Sequence, residues 1–366
     1  MKKNIAIVMV VIMCAGAFTA CSSKNVKDRE VIDKEGKQIT VIGNKNPEVY
    51  NGVALEKIDK LKDVRALDWI DENTLLVMKE NKDYPEVQRD SKKSYPQNFY
   101  EYDINTQKFK LIAGSNTDMA YGIMSPDKKY IFYKEGIEVN LTGFILNKET
   151  GEKVKVTNID SIASTEGAWI DNNTVIFSEF PQGGIYTADT KGNVKPVKNS
   201  ISGMISNSTK IEDKIFYTTV DGKLYVQTVD SKENKLIKND VIWLIPSPDL
   251  QSFMMVKRTD KTKMALVLTD IEGNEKKVLA EGTQIFGTNW SPDKSKIAYS
   301  IASEKSGQSG IFVADANSGK VVQLTVDNEL VSDAVRWSPS GKKLLSANLV
   351  RENNENHFIT SIIQLK

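Results

Sequence analysis

Beyond about residue 60 the apolar residues fall in short runs bounded by polar turn-formers. Leu75-Leu-Val77, Tyr130-Ile-Phe-Tyr133, Val175-Ile-Phe177 and Lys296-Ile-Ala-Tyr299 are examples. β-branched and aromatic residues dominate these runs, and Asp, Asn, Gly and Pro separate them, which is strand-and-turn chemistry. No segment carries apolar residues at the alternating three-and-four spacing of a useful amphipathic helix. The pattern predicts an all-β chain.

The runs also repeat. Trp69-Ile-Asp-Glu-Asn-Thr-Leu-Leu-Val, Trp169-Ile-Asp-Asn-Asn-Thr-Val-Ile-Phe, Trp290-Ser-Pro-Asp-Lys-Ser-Lys-Ile-Ala-Tyr and Trp337-Ser-Pro-Ser-Gly-Lys-Lys-Leu-Leu share one grammar. Weaker copies place Met124, Thr209 and Pro246 where the others have tryptophan. A second signal keeps the same phase: turns beginning at Asp103, Asn147, Asp189, Asp230, Asp270 and Asp315, several of them closing on Gly. A strand-only period in the 40s is the mark of propeller blades. Each unit reads as four antiparallel strands. The first ends at the tryptophan position, a tight turn leads to the second, and the Asp or Asn turn joins the third to the fourth. The unit at Trp337 lacks the last turn and strand, while Gln38–Ile42 and Val53–Leu55 stand as surplus strand material near the other end. An open ring would leave unpaired edges. The expectation is therefore a β-propeller whose N-terminal strand completes the last blade. Seven blades are favoured, with six or eight as alternatives.

The Trp-Ser-Pro-Asp phrase, its following Tyr/Phe-rich strand and the Asp-x-x-Gly turn resemble the repeat of TolB-like β-propellers over residues 60–366. The resemblance implies a fold and not an activity, since propellers host many functions. TolB proteins also carry an N-terminal α/β domain, for which the chain before Trp69 is too short, so the Tol-system role is not inherited. The first 20 residues form a basic start, Lys2-Lys3, and an uncharged run shorter than a spanning helix needs. Phe18-Thr19-Ala20-Cys21 resembles the signal of bacterial lipoproteins, which implies acylation of Cys21 and cleavage before it. Two or three acyl chains make a firm anchor. The expected organisation is a signal peptide at 1–20, lipidated Cys21 with a polar tether to residue 37, and one propeller domain over 38–366. That places the protein on the cell membrane, lipid-anchored, on its extracytoplasmic side.

Composition narrows the chemistry. Removing Lys2 and Lys3 with the signal leaves 47 basic against 48 acidic residues, a poor balance for nucleic-acid binding. A single histidine, His357, argues against multi-His metal sites and most Ser-His or Cys-His catalysis. No nucleophile elbow, phosphate-binding loop, dinucleotide fingerprint or Cys-x-x-Cys pair occurs. No cofactor, metal or catalytic set is expected. Long inserts at 81–98, 303–309 and 351–356 all fall on one side of the ring, by the strand order of a blade. On the first of them Tyr84, Arg89 and Tyr95 are residue types enriched at binding hot spots. Arg65, Tyr121, Glu166 and Arg336 are candidates for the channel lining. The expected function is a monomeric, membrane-anchored propeller scaffold that binds an envelope protein or peptide. The alternative is a cell-envelope carbohydrate-binding protein or hydrolase using carboxylates near the channel.

Overall fold

A computed structural model describes residues 29–34, 37–42 and 53–366, apart from 90–92, 138–139, 158–166, 179–183, 198–203, 230, 232, 304–308, 327–332 and 353–354. Seven four-stranded antiparallel sheets follow one another along the chain. Their innermost strands are Arg65–Trp69, Asp118–Met124, Ala168–Trp169, Ile205–Ile211, Val241–Pro246, Gln284–Trp290 and Arg336–Trp337, in blades 1 to 7. Every innermost strand ends at, or two residues beyond, the position that the repeat marked in the sequence. Blades 1 to 6 each take their four strands from consecutive sequence, and blade 7 does not.

Blade 7 is closed from the N-terminal side by Leu55–Lys62, which runs on from the Val53–Leu55 stretch the sequence suggested and does not include the other candidate, 38–42. Leu55–Lys62 pairs antiparallel along the C-terminal strand Glu355–Leu365, from Leu55 opposite Leu365 to Lys62 opposite Ile359. Residues 38–42 do form a strand, Lys37–Ile42, yet it pairs with Arg29–Lys34 inside a separate unit, Met1–Val49. The tether expected up to residue 37 therefore contains a strand. The Lys-rich run 55–62 is easily missed because an outer strand needs few apolar residues. Ile58 packs into the cluster between blades 6 and 7, and Leu61 into the one between blades 7 and 1.

The second strand of each blade is buried on both flanks, which explains its unbroken apolar run. Leu75, Leu76 and Val77 are fully enclosed, as are Val175, Ile176 and Phe177. Successive residues reach opposite neighbours, so Leu75 and Val77 face blade 7 while Leu76 packs towards blade 2. The core is a circle of interblade clusters with no centre of its own.

The tryptophans tie this circle together. The indole N–H of Trp69 donates to the Arg336 carbonyl, Trp169 to Ile123, Trp290 to Ile245 and Trp337 to Asn289. In each case the acceptor stands one residue before the equivalent position of the preceding blade. Met124, Thr209 and Pro246 have no such ring N–H, so the joints behind blades 2, 4 and 5 lack the bond.

The Ser-Pro-Asp turns are equally explicit. Ser125, Ser247 and Ser291 are buried, donate to Asp127, Asp249 and Asp293, and accept backbone N–H bonds from the strand that follows. These bonds hold the carboxyl groups down. Asp249 lies at about 2, mainly through Lys294 and then Ser247, and Asp293 lies at about 2, mainly through Ser291. A carboxyl lowered in the folded state stabilises above its unfolded pKa, and that stability is lost as the pH falls through the folded value. Acid titration followed by circular dichroism should show stability falling between about pH 4 and pH 2, with a shallower slope in Asp249→Asn/Asp293→Asn.

Candidate ligand channel

The inner strands surround a cavity of about 250 Å³. Counting back from the tryptophan position sorts its walls into levels along the axis. Arg65, Phe286 and Asp333 stand four residues before that position in their own blades, Tyr121 and Trp243 three before, and Ile123, Ile245 and Arg336 one before. Three residues of extended strand separate the Arg65 and Arg336 levels by roughly 10 Å.

The inner strands are not regular. Pairing slips at Ala120/Ile123 in blade 2 and at Phe286/Asn289 in blade 6. At the first slip Tyr121 takes φ 56°, in the left-handed region that a bulky side chain rarely occupies. At the second, Gly287 sits at φ 60°, where an added Cβ would lie 2.8 Å from the Asp333 carbonyl. Glycine is needed there because blades 6 and 7 touch through their backbones, with Val335 N–H donating to the Gly287 carbonyl.

The two channel arginines behave differently. Arg65 donates from Nε and Nη2 to the two oxygens of Asp333, at 2.7 and 2.5 Å. Its guanidinium carbon lies 5.3 Å from the Tyr121 ring centre and 4.9 Å from that of Phe358. Burial pulls the guanidinium down, but the bonds and charge of Asp333 outweigh this and leave its pKa raised. The buried Lys134 places its ammonium 5.3 Å from the same Tyr121 ring, so that ring lies within reach of two cations. Arg336 lines the cavity half-buried, and among the described residues its side chain has no hydrogen-bond or ion-pair partner. Its backbone is held, because its carbonyl accepts the Trp69 indole N–H.

Three of the four residues proposed from sequence for the channel, Arg65, Tyr121 and Arg336, line it together. Glu166 lies outside the described residues, as does Cys21. Sequence reasoning missed Asp333, Trp243, Phe286 and Asn207. Asp333 had a usable signal, since it stands at the level of Arg65 with opposite charge. Trp243 was also marked, as the one tryptophan that heads no repeat phrase.

The loop residues are engaged within the fold. Arg89 donates from Nη2 to both oxygens of Asp118, at 2.6 and 2.8 Å, and from Nη1 to Ser94. The Tyr84 ring covers Gly114 so closely that a Cβ there would meet its hydroxyl at 2.6 Å. Lys82 Nζ stands 5.8 Å from the Tyr95 ring centre. The insert at 81–98 is thus fastened to the start of blade 2 and carries its own small hairpin, Val87–Gln88 with Lys93–Ser94. Of the expected insert 351–356, residues 353–354 lie outside the described ones. Its described residues continue the Lys343–Glu352 and Glu355–Leu365 strands, with Glu352 opposite Glu355. Beside it His357 Nδ1 lies 2.7 Å from Asp63 Oδ1.

No protein-family profile matches the chain. Among solved structures it is similar to an oligogalacturonate lyase from Vibrio parahaemolyticus, with TM-score 0.61 and 13% identity over 92% of this chain and 96% of that one. It is also similar to the WD40 β-propeller domain of Doa1, with TM-score 0.58 and 11% identity over 86% and 97%. TolB from Acinetobacter baumannii matches at TM-score 0.47 and 15% identity, over 76% and 80%. The chain is a seven-bladed β-propeller. At these identities the likeness is one of fold. Among the described residues, no group of three His, Cys, Asp or Glu side chains could hold a metal ion.

Proposed function

We propose that this propeller is a membrane-tethered, extracytoplasmic binding protein that holds a protein or peptide segment in its channel. One observation carries the reading: the cavity combines an unpaired guanidinium with apolar and aromatic walls and offers no free carboxylate among its described lining residues. Asp333 is the acidic group there, and Arg65 occupies both of its oxygens. Hydrolysis by a carboxylate pair needs one carboxyl as an acid and another as a base or nucleophile. A carboxylate clamped by an arginine suits neither part, which weighs against the hydrolase alternative. The lyase likeness keeps an acidic sugar as the competitor to test.

Membrane attachment rests on the Phe18-Thr19-Ala20-Cys21 phrase, and Cys21→Ser should shift the protein from the membrane to the soluble fraction. The binding site is tested with a photo-crosslinking amino acid placed at Ala334 in the channel, at Tyr95 on the insert, or at Val278 on an exposed outer strand, in living cells. Crosslinks to one protein from Ala334 are the expected result. Crosslinks confined to Val278 and Tyr95 would move the site out of the channel. Deleting residues 83–96 is a poor test, because it would strand Asp118 without Arg89.

A further inference from the structure

We infer that the channel takes the end of a peptide chain, seating its C-terminal carboxylate on Arg336 and an apolar last side chain against Trp243 and Phe286. The inference rests on the reading of the channel as the binding site and names the chemical group bound there.

Three observations lead to it. The first is the free charge. Arg336 faces the cavity, is half-buried, and has no counter-ion among the described residues, whereas Arg65 at the other level is neutralised by Asp333. An unpaired guanidinium in a confined, partly apolar space is costly until an anion meets it, and a planar carboxylate matches its fork of donors. The second is the lining. Trp243, Phe286, Ile245 and Leu67 present apolar surface to the same space. Asn207 adds one amide there, whose Oδ1 has no hydrogen-bond partner. A sugar ring would need many polar partners on its hydroxyls, while a chain end with an apolar side chain needs few. The third is size. A space of about 250 Å³ accepts one or two residues and not a folded surface. A chain end is the part of a protein that carries an extra carboxylate and can enter such a space.

Preorganisation supports the role. The Arg336 backbone is fixed by Trp69 from blade 1, and the neighbouring Val335 is fixed by Gly287 from blade 6. The guanidinium is therefore presented from a rigid strand, which lowers the ordering cost of binding.

The test uses the whole mature protein and fluorescent pentapeptides ending in Leu. One has a free C-terminal carboxylate, one is amidated, and one is amidated but carries Glu at the last position. A galacturonic acid oligomer is the further arm. The free-acid peptide should bind, amidation should weaken it at least tenfold, and Arg336→Gln should do the same with an unchanged melting temperature. Arg336→Lys should recover part of the affinity, and Ala334→Phe should block the site. Equal binding of the acid and amide forms, still blocked by Ala334→Phe, would overturn the carboxylate assignment and leave the channel site standing. Binding indifferent to both Ala334→Phe and Arg336→Gln would overturn the site itself. Preference for the Glu-ended amide or for the sugar oligomer would overturn the chain-end assignment.

Discussion

Removing residues 355–366 should abolish the folded monomer. This strand is paired on both sides, with Lys343–Glu352 and with Leu55–Lys62, and it buries Ile362, Ile363 and Leu365. Without it, Leu55–Lys62 has no sheet to join, and the clusters on both flanks of blade 7 lose their walls. The remaining edges would seek partners in other chains. Gel filtration should show aggregate, and limited proteolysis should show no protected core. A rearranged chain separates ring closure from mere loss of length. Ala54 and Lys366 exchange backbone hydrogen bonds, so the two ends of the propeller already meet. A permutant that starts at Asp63 and carries residues 55–62 after Lys366 through a short turn should regain the monomer. A truncated protein that stayed monomeric and protease-resistant would refute closure as the source of stability.

Arg65→Met should be the most damaging single substitution in the channel. It leaves Asp333 partly buried without its counter-charge, and breaking such a pair by removing one partner costs about 3–5 kcal/mol. The paired change Arg65→Met/Asp333→Leu removes both charges and should restore most of the lost stability. The clasp joins the first strand of blade 1 to the segment that enters blade 7, so its loss also loosens the joint where the chain ends meet. Denaturant unfolding of the single and double variants gives the coupling energy. A value within a few tenths of a kcal/mol of zero would mean that the two groups do not depend on each other.

The contrast between these residues shows how far a linear reading reaches. Arg65, Tyr121 and Arg336 were legible because each stands a fixed few places before a repeat landmark, and that spacing puts them on channel-facing strands. Their fates were not legible. Arg65 and Arg336 look alike in sequence, yet one is neutralised by a residue 268 positions away and the other has no partner among the described residues. Arg89 was selected as a type common at interfaces. Asp118, at the start of the next blade, takes its Nη2 donors, and Ser94 takes Nη1. Residue type and local spacing carry no information about such pairings, because an ion pair depends on which side chains the ring brings within hydrogen-bond reach.

From the linear chain alone came the class of structure, a preference for seven repeats over six or eight, and the expectation that one blade is shared between the two ends; the count of seven came from the sheets themselves. Those are consequences of local chemistry: short apolar runs, Ser-Pro-Asp and Asp turns, and tryptophans in one phase. The folded ring was needed to show that the closing strand is 55–62, that the stretch at 38–42 pairs with 29–34, and which channel charge is left without a partner among the described residues. An outer strand is chosen by the complementarity of a long edge and not by its own propensity. A charge is left free or neutralised by neighbours that the chain delivers only after the circle is closed.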